Sequence, residues 1–307
     1  MAVTGATGFL GRPLIAALVA RGDRVIALVR DRERAKASLP GVDLVEATLE
    51  TPGPWQARLV DGVDGIVHLA GEPIAAKRWD ARQKQLIRDS RVESTRTIVE
   101  GLAAAPAAAR PRVLVSASGA DYYDAVVPGD FDDEDFAEDQ SAGDSFLARV
   151  CAAWEAEAAA AEPLGLRVVR MRTGVVLGKG GALDRMRTPF KLFVGGRIGS
   201  GKQWFSWVDQ RDAIAAYLFA LDTAALGGPV NLVSPEAARA RDLAKALGKA
   251  LGRPAWMPVP GFALKAAVGE FAEYLLTGRK VVPRALLARG FQFAHASLSA
   301  AVADALA

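Results

Sequence analysis

The chain has 307 residues, of which 51% are apolar and 24% charged, enough to bury a core as one large domain or a core with a smaller lobe. A net charge of +3 gives no ground to expect nucleic acid or a membrane as partner, and no uncharged apolar run reaches the roughly 18 residues of a membrane span. The lone Cys151 excludes an internal disulfide and fits a reducing, cytoplasmic setting, while His68 and His295, far apart in sequence, give no basis for a metal site.

Residues 2–4 read as a short apolar strand, 5–11 as a glycine turn, and 12–21 as an amphipathic helix with Leu14, Ile15, Leu18 and Val19 as its stripe. Gly5, Gly8 and Gly11 recur every third residue. In a strand–turn–helix setting Gly5 permits the tight turn, Gly8 lets backbone approach a pyrophosphate, and Gly11 lets helix and strand pack closely. The helix start turns its free N–H groups and positive dipole end toward that turn. Gly5, Thr7, Gly8, Phe9, Leu10 and Gly11 are therefore expected to hold dinucleotide phosphates; the plainer alternative is a structural turn.

Residues 24–29 form a continuous apolar run, as in a strand buried in a parallel sheet, and end at Arg30. Folds that prefer NAD place Asp or Glu here for the ribose 2′-hydroxyl; an arginine favours the 2′-phosphate of NADP(H). Asp31, Arg32 and Arg34 follow, so a solvated charged turn is the other reading. Further strands are expected at 42–47, 64–71, 112–116 and 166–172, with helices at 81–104 and 146–162 between them. This alternation predicts an α/β fold, a doubly wound parallel sheet of the NAD(P)-binding Rossmann kind, over residues 1–178. Residues 207–233 are expected to complete the sheet. A smaller substrate lobe is expected from 179–206 and 234–307, with helices at 242–251 and 262–276.

Leu69, Ala70, Gly71 and Glu72 follow the fourth strand, beside the switch point where such sheets bind ligands, and are expected to border the cofactor. His68 reads as a core residue or a catalyst. Glu72 either orients substrate or caps the next helix. The acidic residues between Asp130 and Asp139 read as a solvated loop or, alternatively, a cation site.

Gly5-Ala6-Thr7-Gly8-Phe9-Leu10-Gly11, the run 68–74 (His-Leu-Ala-Gly-Glu-Pro-Ile) with Arg78-Trp79, and Ser116-Ala117-Ser118 with Tyr122-Tyr123 together resemble the atypical extended short-chain dehydrogenases/reductases. With Val281-Val282-Pro283-Arg284 and Gly290-Phe291-Gln292-Phe293, the chain is similar over essentially its whole length to the epimerase-like subgroup that carries a C-terminal domain of unknown function. The resemblance implies an NADP(H)-binding Rossmann domain and hydride transfer on a small carbonyl, hydroxyl or sugar-like substrate. It also implies cofactor contacts from Ser116, Thr173 and Val175, and leaves either a homodimer through the helices at 81–104 and 146–162 or a monomer.

The wider family uses a Ser or Thr after the fifth strand and a Tyr-x-x-x-Lys on the next helix. Ser118 matches the first. Cys151 stands at the tyrosine's place and Glu155 at the lysine's, on one helical face. A carboxylate there opposes thiolate formation, while Glu155 can still accept hydrogen bonds from ribose hydroxyls. Cys151 is thus either a catalytic group or a small buried apolar one. Tyr122 is the expected proton donor and Tyr123 a substrate contact, or both wall the pocket. Asp121 and Asp124 stand where the subgroup has glycine. Gln203 is expected to hydrogen-bond a ligand, and Trp204 to stack on one or to pack between lobes. A protein that binds the cofactor without turnover is the second functional reading.

Overall fold

The computed structural model describes residues 1–123 and 133–307. Seven strands form one sheet: β1 (Ala2–Thr4), β2 (Ile26–Val29), β3 (Asp43–Glu46), β4 (Gly65–His68), β5 (Val113–Gly119), β6 (Arg167–Thr173) and β7 (Gly228–Leu232). Their spatial order is β3-β2-β1-β4-β5-β6-β7, and every neighbouring pair is parallel. Strand order reverses between β1 and β4, so the crevice at their carboxyl ends is where this fold accepts a ligand.

The strands are apolar on both faces because helices cover both. Val3, Ala27, Val29, Val67, Val113 and Val115 point into one core layer with Leu14, Ile15 and Leu18 of α1 (Gly11–Ala20). Ala2, Ile26, Leu28, Ile66 and Leu114 point into the opposite layer, with Ile98 and Leu102 of α2 (Ala81–Ala104) and Ala158 of α3 (Phe146–Ala159). This period-two split is the burial pattern of a doubly covered parallel sheet.

A second body contains α4 (Ala182–Lys191), α6 (Ala240–Leu251) and α7 (Leu298–Leu306), whose Leu183, Phe190, Leu243, Leu247, Leu298 and Val302 share a separate core. Between α4 and α6, α5 (Gln210–Asp222) returns to the sheet beside α1. Of the stretch 207–233, only β7 enters the sheet. Trp207–Asp209 instead pairs with Val175–Leu177 in a two-stranded ribbon. The helix expected over 262–276 is broken into Gly261–Val268 and Ala272–Leu276, because Gly269 sits in the left-handed region at φ 69°.

The C-terminal segment is pinned back onto α5. Buried Asp212 accepts from the backbone N–H groups of Ala294 (3.0 Å) and His295 (2.9 Å), and Phe291 packs against Phe219. Among the described residues no helix is long and apolar enough to cross a membrane.

Candidate functional site

At the phosphate end the loop after β1 is shaped by what its glycines lack. Gly5 has φ 63°, and a Cβ on it would lie 2.7 Å from the Leu69 carbonyl carbon. A Cβ on Gly11 would lie 2.2 Å from the Gly5 oxygen, and one on Gly8 3.0 Å from the same atom. Leu10 opens α1 without a side-chain cap, and the amides of Phe9, Leu10 and Gly11 take no hydrogen bond among the described residues. Unpaired donors at a helix start, in a loop with no Cβ at Gly8, fit a bound pyrophosphate. Thr7 and Gly8 are exposed there. Gln210 Nε2 donates to the Phe9 carbonyl (2.9 Å), and the Phe9 ring occupies the space that a Cβ on Gly181 would need.

Arg30 is exposed at the end of β2. Asp31 turns away from any ribose role of its own: its carboxylate accepts from Arg34 N (2.9 Å) and caps the short helix Arg32–Lys36. At the end of β4, Thr4 Oγ1 accepts from the amides of Leu69 (3.2 Å) and Ala70 (3.3 Å) and meets His68 Nδ1 at 2.7 Å. With those amides as donors, the Thr4 hydroxyl gives its own proton to Nδ1, and Nε2–H donates to Thr95 Oγ1 at 3.0 Å. Burial first, and Arg91 second, depress the His68 pKa to about 3, so His68 is a neutral core residue. Asp80, not Glu72, caps α2, through Gln83 N (2.7 Å). Glu72 is held by its backbone: its N–H donates to Ser90 Oγ, and its carbonyl accepts from Arg91 Nη1.

The other end of the crevice is built from buried charge. Ser118 Oγ donates to Glu155 Oε1 (2.8 Å). Arg172, on β6, donates from Nε to Oε1 (2.8 Å) and from Nη2 to Oε2 (2.9 Å), a bidentate pair with both side chains buried. Its Nη1 donates to Tyr123 Oη (2.7 Å), which donates to Asn231 Oδ1 on β7 (2.7 Å). The guanidinium also lies 3.4 Å from the Tyr122 ring centroid. Burial works against the Arg172 charge most strongly, but the hydrogen bonds and charge of Glu155 outweigh it and the pKa is raised. Tyr123 is pushed up to about 12, chiefly by burial.

Cys151 and Glu155 share the buried face of α3, as the spacing predicts. Burial, then the Asp121 charge, push the Cys151 thiol up to about 12; Glu155 adds less, and Arg91 opposes. Ser116 is buried, its hydroxyl turned to the Ala117 carbonyl, and Thr173 Oγ1 donates to the Met171 carbonyl. Val175 is exposed, its N–H paired with the Ser206 carbonyl.

On the substrate side, Gln203 is 2% exposed, and its Nε2 donates to the carbonyls of Ile198 (3.1 Å) and Leu275 (2.9 Å). Its buried Oε1 has no partner among the described residues. Trp204 carries the Arg239 guanidinium 3.9 Å from its ring centroid, while Trp207 is fully buried. Trp79 gathers Phe146, Phe271 and Tyr274, joining the loop after β4 to the C-terminal lobe. Where it is described, the acidic run is solvent-exposed, as a solvated loop would be, and its carboxylates are also paired with cations. Asp135 pairs with Lys280 (2.8 Å), Asp139 with Arg284 (3.1 Å), and Asp133 with Arg239. Its first residues, 130–132, and Asp124 lie outside the described residues.

Residues 1–232 match the family model of the NAD dependent epimerase/dehydratase family. The chain belongs to that family. Residues 259–305 match a domain of unknown function, DUF1731. A relative from Arabidopsis thaliana, the chloroplastic epimerase family protein SDR39U1 homolog, is 40% identical over 96% of this chain and 83% of its own length. The crystal structure of human epimerase family protein SDR39U1 (isoform 2) with NADPH is 32% identical, covers 99% of this chain and 98% of its own, and superposes with a TM-score of 0.81. The nucleoside-diphosphate sugar epimerase from Corynebacterium glutamicum, also 32% identical, covers 99% of this chain but 57% of its own, with a TM-score of 0.78. Arg172, Asn231 and Arg91 take part in the candidate site's hydrogen-bond network and were not singled out in the sequence. Arg172 is one of three arginines in the strand Arg167–Thr173, and nothing in the sequence marks it as the one whose side chain is buried against an acid.

Proposed function

We propose that this chain binds NADP(H) and transfers hydride to or from a small carbonyl, hydroxyl or sugar-like substrate. The observation that carries this reading is the loop after β1, where three unpaired amides stand at the start of α1 in a turn packed too closely against its own backbone for a Cβ at Gly5 or Gly11. The NADPH complex of the human relative supports the choice of cofactor, and exposed Arg30 is the residue to meet a 2′-phosphate. Residues 1–178 with β7 hold the cofactor in this reading, and 179–206 with 234–307 form the substrate lobe.

The bound nicotinamide supplies the hydride or accepts it. The chain's own residues then have separable tasks. Gly5, Thr7, Gly8, Phe9, Leu10 and Gly11 hold phosphate, and Leu69, Ala70 and Gly71 border the adenosine side. Ser118 Oγ, its proton directed to Glu155, offers lone pairs to a substrate hydroxyl; to polarise a carbonyl it swings that proton outward. Tyr122, held face-on by Arg172, is the proton donor. Glu155 supports the site through Ser118 and Arg172 rather than as a free ribose ligand.

A second reading has its own support. Cys151, at the family tyrosine's position, is pushed up to about 12, and Ser118 rests with its proton on Glu155. Both fit a protein that holds the cofactor without turnover. Titration with NADPH and NADH, then a panel of aldehydes, ketones and nucleotide sugars followed at the reduced-nicotinamide absorbance, decides between them. Tighter NADPH binding with turnover lost in Ser118→Ala and Tyr122→Phe supports the oxidoreductase. Binding with no turnover supports the second reading. No binding of either nucleotide defeats both.

A further inference from the structure

The modest net charge hides an uneven distribution. Residues 185–208 contain five Lys or Arg and residues 243–269 four, with no Asp or Glu in either stretch. The two stretches lie side by side: Met257 N donates to the Gly195 carbonyl, Val259 N to the Arg197 carbonyl, and Gly199 N to the Val259 carbonyl. On α6, Arg241, Lys245 and Lys249 recur every fourth residue on the exposed face, opposite buried Leu243 and Leu247. Lys191, Lys245 and Lys249 make no ion pair among the described residues.

Where this basic row ends, large apolar side chains stand in solvent. Leu192 is 67% exposed, Phe193 52% and Trp256 64%. They form one unit: the Arg253 guanidinium lies 4.5 Å from the Phe193 ring centroid, and Trp256 Nε1 donates to the Phe193 carbonyl (3.2 Å). Phe193 follows the C-cap of α4 at φ 62°, in a left-handed position that favours glycine, and it is the one non-glycine residue there among the described residues. A β-carbon at this left-handed position costs free energy that glycine would avoid, while the ring's partner is the Arg253 guanidinium.

We propose that Leu192, Phe193 and Trp256, with Lys245, Lys249 and Arg253, form a docking surface for an anionic lipid membrane. The apolar side chains enter the headgroup layer and the cations meet lipid phosphate and carboxylate. Charge complementarity selects this occupant. A second copy of the chain would set like-charged rows against each other across a two-fold axis. Nucleic acid would use the cations and the rings but has no place for the side chain of Leu192. Neither the low net charge nor the lack of a spanning helix among the described residues bears on contact of this local, peripheral kind.

The test is cosedimentation of the full chain with vesicles of phosphatidylcholine alone and of phosphatidylcholine with about one-third phosphatidylserine. Binding is expected to the anionic vesicles only, falling as salt rises. Both Phe193→Ser/Trp256→Ser and Lys245→Glu/Lys249→Glu should weaken it by about tenfold or more. Circular dichroism and the melting temperature of each variant confirm that it is folded. No binding to the anionic vesicles overturns the proposal, as does equal binding to both kinds or unchanged binding by the folded variants. It also falls if a short DNA duplex binds as tightly and with the same dependence on Phe193 and Trp256. A concentration-dependent dimer that Phe193→Ser/Trp256→Ser splits, without vesicle binding, assigns the face to a second copy instead.

Discussion

The two ends of the crevice are made of different material. Around Gly5, Gly8 and Gly11 the working surface is backbone, and its shape depends on side chains that are missing. Around Ser118 it is side chain: one buried carboxylate, one buried guanidinium and two tyrosines, each holding the next. A backbone site tolerates no added atom but asks little of its neighbours. A buried ionic site depends on every partner at once, because a charge left alone there has no water to meet it.

Breaking the side-chain end has the larger cost. Arg172→Met leaves Glu155 buried without its bidentate partner and should cost about 3–5 kcal/mol in urea unfolding. Arg172→Met/Glu155→Gln should recover much of that loss, since the stranded charge goes with its partner. Equal stability of Arg172→Met and the double variant would show that Glu155 is not a stranded charge once Arg172 is gone. Gly11→Ala attacks the backbone end. Pushing a methyl group against the Gly5 oxygen should cost about 1–3 kcal/mol, and the thermal shift that NADPH gives the parent should disappear. A full NADPH shift in Gly11→Ala would mean that phosphate does not sit on this loop.

His68 lies between the two ends, linking β1, β4 and α2 through Thr4 and Thr95. It stays neutral in the fold down to about pH 3, while in the unfolded chain it takes up a proton near pH 6.5. Its contribution is therefore fully present above pH 6.5 and is lost as pH falls from there toward 3, by about 2 kcal/mol at pH 5. Chemical denaturation across that range should show this slope in the parent and a flatter one in His68→Gln. The smallest effect is expected at Arg30, the one long side chain called on at the backbone end. Arg30→Ala should narrow the preference for NADPH over NADH by about tenfold, read by paired titrations. An unchanged ratio would leave that end without any side-chain contribution.

The same contrast explains what could be read from the sequence. The glycine loop was legible because its parts lie within seven residues and each acts through local backbone geometry. The doubly wound sheet was legible because strands buried on both faces are continuous apolar runs. The Cys151–Glu155 spacing placed both on one face of α3, and they are there. The consequence of Glu155 was not legible, because Arg172 is brought to it by pairing of β5 with β6, and Asn231 reaches Tyr123 across 108 residues of chain. Distance in sequence also hid the partners of the acidic run, which come from 239–284. Gln203 illustrates a different limit. A polar residue in a glycine-rich loop reads as a ligand contact, yet its amide nitrogen ties two backbone segments together.

The clasp between Asp212 and the segment at 294–295 imposes an order in time. Asp212 is 2% exposed, and its backbone donors lie 82 and 83 residues further along the chain. At a synthesis rate of about 5–20 residues per second, roughly 4–16 s pass between the emergence of that carboxylate and of its donors. Through that interval α5 has a charged group on a face that will later be closed. That seam closes only after residues 294–295 have emerged, so a ribosome stalled short of residue 294 displays a nascent chain with this seam still open.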